Sequence, residues 1–253
     1  MEYFSVAEAR EMGGMRLVLS QGVPGPWGEA AKAVFRLKNI DYSPVAQQGG
    51  GENPELLDWC GHRNAPVALY NNEPARVRWL EIVELAERVG SGPALIPQYL
   101  SERMAMVGLV NEIAGESGFA WYGRHLMLAS GHQQAGDKVL TTPLYRDYGY
   151  QSAHTEQATT RIAEILDYLA GHIRRQREQG SAFLIGQELS AADIYWAYFS
   201  QILQSYPDPK NPMPNGLRAS WATVAKVLGE FDPCLIEQRD HIFEAHLELP
   251  MSF

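Results

Sequence analysis

Few side chains in this sequence have the type and spacing that catalysis, disulfide exchange or metal binding requires. The two cysteines, Cys60 and Cys234, lie far apart and form no C-x-x-C pair. We therefore predict no disulfide scaffold and no dithiol chemistry, and we expect a reducing, cytoplasmic environment. His241 and His246 are five residues apart, the wrong interval for one helix face, so we predict no metal site.

Residue type and spacing alone single out no further group. Ser20 ends an apolar run directly before a loop rich in Gly and Pro, and Arg76 and Arg78 lie ahead of a predicted helix. A structural interpretation is open for each: Ser20 as a strand-end residue bonded to the loop, and the two arginines as surface charges.

Length and composition indicate a soluble globular protein with one large domain or two smaller ones. The 253 residues are 45% hydrophobic and 20% charged, which is ordinary for this class. The net charge of −9 argues against a general nucleic-acid binder, which needs a basic surface. No apolar run approaches the ~18 residues of a membrane span, so we expect neither nucleic acid nor membrane as a partner.

The elements that would position the candidates lie in the first part of the chain. Residues 1–14 are polar and predict a loose N-terminal extension. Residues 15–90 predict a small α/β domain with a mixed sheet, because short apolar runs alternate with amphipathic stretches. The predicted strands are Arg16–Ser20, Ile40–Ala46 and Val67–Tyr70, with room for a fourth, and the predicted helices begin near Glu29, Pro54 and Ile82.

The second part of the chain predicts a helical domain. The composition shifts at Gly90-Ser91-Gly92-Pro93, and helical periodicity dominates residues 95–253. Residues 131–150 are aperiodic and predict a loop insertion. The predicted helices cover Tyr99–Ala114, Phe119–Ala129, the stretch around Ile162–Ile173, a run from Ser190, Trp221–Leu228 and Cys234–Leu247.

The most informative stretch surrounds Ser190. Asp193 follows Ser190 by three residues, which is the spacing of a helix capping box. The run beyond it is apolar nearly all round and predicts a buried helix. The phrase from Phe183 to Ile194, FLIGQELSAADI, closely resembles the buried central helix of the helical domain in the glutathione transferase superfamily.

That resemblance covers nearly the whole chain from Arg16. It implies a fold of α/β plus all-α type, with a thioredoxin-like N-terminal domain followed by a helical C-terminal domain. It further implies that the first domain holds glutathione as co-substrate and that the second supplies a pocket for a small hydrophobic molecule. Met104, Asn111 and Tyr122 occupy the region of that pocket, and the family usually forms homodimers.

The resemblance assigns roles to the loop before the first long helix. Gly25-Pro26-Trp27-Gly28 is similar to the family's turn, in which a Cys, Ser or Thr hydrogen-bonds the thiol and lowers its pKa. Gly25 has no side-chain donor. The catalytic candidates are therefore the main-chain N–H near Gly25 and the hydroxyl of Ser20, while Pro26 and Trp27 would contact the ligand.

Two further positions are implied to hold glutathione. Ala65-Pro66 resembles the motif in which a cis proline begins the third strand and the preceding main chain pairs with the cysteinyl part of the ligand; a trans proline is the alternative. Arg78-Trp79 stands where the family has an acidic residue and a serine that grip the γ-glutamyl carboxylate. Arg78 could meet that carboxylate, whereas Trp79 replaces the small hydroxyl with bulk.

Two functions are compatible with this sequence. The intact architecture favours a transferase that conjugates or otherwise processes a hydrophobic electrophile with glutathione. The altered motifs favour a non-catalytic or redirected protein that binds an apolar ligand or a protein partner without glutathione.

Overall fold

The computed structural model describes all 253 residues and divides them into two compact units. The first unit comprises Met1–Ile96 together with Met251–Phe253, and the second comprises Pro97–Pro250. No helix in the structure is long and apolar enough to cross a membrane.

The first unit is built on a three-stranded sheet with the order β2-β1-β3. Strand β1 pairs in parallel with β2 and antiparallel with β3. The elements in chain order are α1 (Val6–Arg10), β1 (Met15–Ser20), α2 (Pro26–Leu37), β2 (Ser43–Gln47), α3 (Pro54–Cys60), β3 (Val67–Tyr70) and α4 (Trp79–Val89).

The central strand is buried on both faces because helices cover the sheet. Leu17, Val18 and Leu19 are all nearly inaccessible to solvent, as expected of a continuous apolar run. The predicted strands and helices of this unit are confirmed with small shifts at their ends. The possible fourth strand is reduced to one antiparallel bridge between Ala68 and Arg76.

The N-terminal segment is ordered, contrary to the expected loose extension. Ser5 caps helix α1: the N–H of Glu8 donates to the Ser5 hydroxyl over 3.2 Å, and the N–H of Ser5 donates to the Glu8 carboxylate over 2.8 Å. Val6 and Ala9 are buried in a cluster with Val45 and Leu56. The polar composition of the segment concealed this helix because only two of its residues face inward.

The second unit is entirely helical. Helices α5 and α6 are separated at Gly115–Gly118, where Ser117 has φ of 63° and side chains at either glycine would collide with carbonyl oxygens of α5. The helices are α5 (Leu100–Ala114), α6 (Phe119–Ala135), α7 (Pro143–Asp147), α8 (Ser152–Glu178), α9 (Ala191–Phe199), α10 (Asn215–Leu228) and α11 (Cys234–His246).

Asp193 fixes the start of the buried helix α9. Its carboxylate accepts the N–H of Leu184 over 2.7 Å, the N–H of Ser190 over 2.9 Å and the Ser190 hydroxyl over 2.9 Å. Burial raises the pKa of Asp193 to about 6, although these hydrogen bonds oppose the shift. The role predicted for Asp193 at the start of this helix is confirmed, and every residue of α9 is buried.

The predicted loop insertion at residues 131–150 is largely wrong. Helix α6 continues to Ala135, and α7 lies within the stretch. The Tyr145 hydroxyl donates to the carbonyl of Leu128 over 2.9 Å, and a side chain at Gly131 would collide with that hydroxyl. Long-range packing therefore holds a stretch that has no periodicity of its own.

Candidate functional site

The candidate residues of the first unit meet at one end of the sheet. Ser20, at the end of β1, is paired with Gln47, at the end of β2. Val67, at the start of β3, lies opposite Val18. Continuing that antiparallel register by two residues places Ala65 beside Ser20, so the loop before β3 and the end of β1 share this edge of the sheet.

The hydroxyl of Ser20 is committed to a structural hydrogen bond. It donates to Oε1 of Gln47 over 2.6 Å. Gln47 is buried, and its amide nitrogen donates to the carbonyls of Gln48 and Arg63 over 2.8 and 3.1 Å. A hydroxyl has one proton to donate, so Ser20 in this arrangement has none for a second acceptor.

Gly25 is the residue that caps helix α2, and its own N–H, predicted as a donor to the ligand, donates instead to the carbonyl of Val23 over 2.8 Å. It has no side chain to cap the helix, and Pro26 occupies the first helical position, where a missing N–H costs little. The first-turn N–H groups of a helix have no partner within it and attract negative charge. Trp27 follows on this turn and is half-buried.

The Ala65–Pro66 peptide bond is cis, as predicted. Val67 and Ala68 beyond it are engaged in the sheet: Val67 pairs with Val18, and Ala68 exchanges both main-chain hydrogen bonds with Arg76. The N–H and the carbonyl of Ala65, in contrast, have no hydrogen-bond partner in the structure. This residue presents one free donor and one free acceptor at the edge of the sheet.

Arg78 lies on the other side of the same loop. The bridge between Ala68 and Arg76 is antiparallel, and continuing it by two residues places Arg78 opposite Pro66. The Glu81 carboxylate accepts the N–H groups of Val77 and Arg78, both over 3.1 Å, which fixes the start of α4. The Arg78 side chain is exposed.

The two neighbouring arginines differ in their partners. The guanidinium of Arg76 pairs with Glu73 over 3.1 Å. The guanidinium of Arg78 makes no ion pair or hydrogen bond in the structure. Trp79, the first residue of α4, is half-buried. The structure thus brings Ser20, Ala65-Pro66 and Arg78 to one edge, with Gly25 at the helix that follows β1.

The second unit contains a cavity of about 540 Å³ between α5 and α8. This volume is in the range of small-molecule sites. Its walls are mostly apolar, and the ion-paired Arg161, Glu112 and Glu164 lie at one end. Of the three predicted pocket residues, Met104 lines this cavity, whereas Asn111 and Tyr122 do not.

Four large apolar side chains of the second unit are strongly exposed, and two of them, Met104 and Tyr168, line this cavity. Tyr99, Leu100, Met104 and Tyr168 are 74%, 69%, 67% and 61% exposed, the highest values for large hydrophobic residues in the chain. Tyr99 directly precedes α5, Leu100 and Met104 lie near the beginning of α5, and Tyr168 lies on α8. A patch of this kind often marks an interaction surface.

A cluster of imidazole and aromatic rings around the buried His125 in the second unit was not predicted. The ring of His125 lies 5.4 Å from that of Trp121, 6.1 Å from that of Tyr150 and 5.2 Å from that of His154. His125 is fully buried, and neither of its ring nitrogens has a hydrogen-bond partner. Burial, and then His154 and Arg124, lower the pKa of His125 to about 4, so the ring is neutral at pH 7.

One sequence signal for this cluster existed. His125 and His132 are seven residues apart on α6, an interval that places both on one helix face. Nε2 of His132 donates to the Asp137 carboxylate over 2.8 Å, and the ring of His132 lies against that of Tyr150. The partners on α8 are distant in sequence and could not be anticipated from that spacing.

Comparison with known proteins gives a local sequence match. No protein-family model matches this chain. Glutathione S-transferase U16 from Arabidopsis thaliana is 34% identical over 82 residues, which make up 31% of this chain and 35% of that protein. The matched region thus spans about a third of the length of that curated relative.

The solved structures resemble the chain over most of its length. A glutathione transferase from Methylobacterium radiotolerans, solved with glutathione sulfonate, is 12% identical with a TM-score of 0.61, covering 94% of this chain and 97% of that one. A rice glutathione transferase, solved with glutathione, is 16% identical with a TM-score of 0.61, covering 93% and 92%. These likenesses confirm the predicted resemblance and the predicted fold.

Proposed function

We propose that this chain, which has the fold of the glutathione transferase superfamily, binds glutathione in its first unit and transfers it to a hydrophobic electrophile. The observation that carries the proposal is the unpaired main chain of Ala65, beside Pro66 at the edge of the sheet. An extended peptide ligand adds to such an edge through main-chain hydrogen bonds. The solved relatives described above were crystallised with glutathione or its sulfonate.

In this proposal, Arg78 binds a carboxylate of glutathione. Its guanidinium is exposed and has no ion-pair partner, unlike that of Arg76, which is engaged by Glu73. A guanidinium binds a carboxylate through two parallel hydrogen bonds. Arg78 would therefore replace the acidic-Ser pair of the family, while Trp79 contributes an aromatic wall.

The sulfur of glutathione would lie near Gly25 at the beginning of α2. The helix start favours a thiolate through its first-turn N–H groups and its dipole. Such N–H groups would act without a side-chain donor, since Gly25 has none and the proton of Ser20 goes to Gln47. The thiolate would then attack the electrophile.

Calorimetric titration of reduced glutathione into the purified protein tests the proposal. We expect binding in the micromolar to millimolar range, weakened about tenfold or more by Arg78→Ala, because a charged hydrogen bond contributes ~1.5–3 kcal/mol. Arg76→Ala is the matched control and should change the affinity less than about twofold. Absence of heat and of thermal stabilisation at several millimolar glutathione would refute the proposal.

We also propose that the chain forms a homodimer through the face around Tyr99, Leu100, Met104 and Tyr168. These side chains are the most exposed large apolar groups, and a two-fold contact would bury two copies of the patch against each other. The free state of both cysteines is compatible with the predicted cytoplasmic location.

A second candidate function is binding of an apolar molecule or a protein partner without glutathione. The cavity of about 540 Å³ with its apolar walls favours it, as do the substitutions at Gly25 and Trp79. This function would be favoured if a hydrophobic dye binds the wild type, loses affinity in Met104→Asp and binds equally well with and without glutathione. Conjugation of glutathione to chlorodinitrobenzene, lost in Arg78→Ala, would favour the transferase.

A further inference from the structure

We infer that residues 136–151 form a lid over His125, and that this lid opens when the imidazole of His125 takes up a proton. The lid comprises the end of α6, helix α7 and the residues up to the start of α8. It lies entirely in the second unit, and its opening does not depend on glutathione.

The lid is attached to the helical bundle mainly by tyrosine side chains. Every main-chain hydrogen bond that residues 137–150 donate has its acceptor within the lid. Tyr145 is its one buried residue, and the Tyr145 hydroxyl donates to the carbonyl of Leu128 on α6 over 2.9 Å. The guanidinium of Arg124 lies 3.8 Å from the centre of the Tyr148 ring. A segment with so few buried contacts can detach while the bundle stays folded.

Glycines stand at both ends of the lid. Gly136 has φ of 71° and ψ of −175°, and Gly149 has φ of 59°. A methyl group built on either Cα would meet no atom within 4 Å, so it is the backbone angles, not crowding, that favour glycine here. Residues of this kind absorb the change of backbone angles that a hinge requires.

Buried polar atoms lie beneath the lid. His125 is fully buried, and neither of its ring nitrogens has a hydrogen-bond partner; the same holds for Nδ1 of His154 beside it. The ring of Tyr150, at the end of the lid, stacks on that of His125 with centres 6.1 Å apart and 22° between their planes. Burying such atoms unpaired is unfavourable, and opening of the lid returns them to water.

The groups around His125 disfavour its charged form while the lid is closed. Facing it are Arg124 on its own helix, Tyr150 on the lid and His154 at the start of α8. Burial, then His154 and Arg124, lower the pKa of His125 to about 4, and no acidic group raises it. An imidazole in water has a pKa near 6.5. The open lid therefore binds the proton more tightly, and opening increases as pH falls from about 6.5 towards 4.

Hydrogen exchange of main-chain amides measures this opening. A detached lid loses its structure, because a helix as short as the five-residue α7 is not stable alone in water. The amides of Tyr145 and Tyr150, which donate within the lid, then exchange. Their protection, corrected for the intrinsic exchange rate, should fall about twentyfold from pH 7 to pH 5. Amides of α9 should stay better protected at both pH values, because they exchange only when the whole unit unfolds.

Three variants separate the trigger from the hinge. His125→Phe keeps a ring but binds no proton, so protection of the lid should no longer depend on pH. His241→Gln, at an exposed histidine of α11, is the matched control and should retain the change. Gly149→Ala strains the closed backbone and should increase opening about fivefold at both pH values. The inference would be overturned by wild-type protection that is equal at pH 7 and pH 5, that matches that of α9, or by a pH dependence that persists in His125→Phe.

Discussion

Ser20 and Gln47 close the ends of two neighbouring parallel strands, and the Ser20 hydroxyl donates to the Gln47 side-chain oxygen over 2.6 Å. Gln47 in turn holds the carbonyl of Arg63, in the loop that leads to Ala65. The pair therefore positions the edge of the sheet at which we propose that glutathione binds. It also removes Ser20 from the donors available to a ligand's sulfur.

Substitution Ser20→Ala should leave transfer of glutathione to chlorodinitrobenzene within about threefold of the wild type. Loss of one hydrogen bond to a buried amide should lower the free energy of unfolding by ~0.5–1.5 kcal/mol. Steady-state kinetics and urea denaturation measure the two effects. A loss of kcat/KM by about a hundredfold or more, at unchanged stability, would show that Ser20 is catalytic.

His125 should make the chain sensitive to acid. Its pKa is lowered to about 4 by burial, His154 and Arg124, while an unfolded histidine titrates near 6.5. Between these values the unfolded state binds more protons, so the free energy of unfolding should fall as pH drops from about 6.5 to 4, by ~1–3 kcal/mol. Protonation of His125 in the folded state would place a buried positive charge beside His154 and Arg124, which is unfavourable.

The acid effect is best isolated by His125→Phe. Asp193 works in the opposite direction, because its raised pKa of about 6 makes its contribution largest below about pH 4 and diminishes it as pH rises to 6. The difference in unfolding free energy between wild type and His125→Phe, measured by urea denaturation from pH 7 to 4, cancels that term. A difference independent of pH would contradict the assignment.

Removal of the Asp193 carboxylate should destabilise the second unit strongly. Asp193→Ala leaves the buried N–H groups of Leu184 and Ser190 without an acceptor, at a cost of ~1–3 kcal/mol each. Asp193→Asn keeps an acceptor and should cost less than half as much. Denaturant unfolding at pH 7 checks both variants, and equal costs would mean that packing volume, not hydrogen bonding, sets the stability here.

A charge on the exposed apolar face should prevent dimerisation. Tyr168→Asp places a carboxylate on the face proposed for dimerisation, which also includes Tyr99, Leu100 and Met104, and burying it unpaired is unfavourable. Light scattering should report a monomer for Tyr168→Asp and a dimer for the wild type. Val227→Asp, at a separate exposed apolar residue, is the control and should remain a dimer; a monomeric wild type would contradict the proposal.

Local sequence signals predicted much of the fold. Asp193 at the start of α9 and the strand Val67–Tyr70 depend on a few adjacent residues, and both were predicted correctly. The cis bond before Pro66, which the family resemblance implied, is also confirmed. Helix α1 and residues 131–150 were not, because their order comes from contacts with distant residues such as Val45 and Leu128.

The chemistry of the site was harder to anticipate than its position. The sequence left open whether Ser20 is a catalytic hydroxyl or a strand-end residue bonded to the loop, because its partner, Gln47, is 27 residues away on another strand. Arg76 and Arg78 looked equivalent in the sequence, but Arg76 is half-buried and ion-paired with Glu73, whereas Arg78 is exposed. Hydrogen-bond partners across a sheet depend on which strands are neighbours and on how they are aligned, and the residues next to Ser20 or Arg78 in sequence do not contain that information.

The central claim is that the main chain of Ala65 pairs with glutathione, and the amide of Ala65 reports this most directly. We would record nitrogen–proton correlation spectra of the labelled protein with increasing glutathione, together with hydrogen exchange at that amide. The account predicts a saturable shift of the Ala65 signal and slowed exchange at the ligand-bound end point. An Ala65 amide that neither shifts nor gains protection, while glutathione binds by calorimetry, would contradict it.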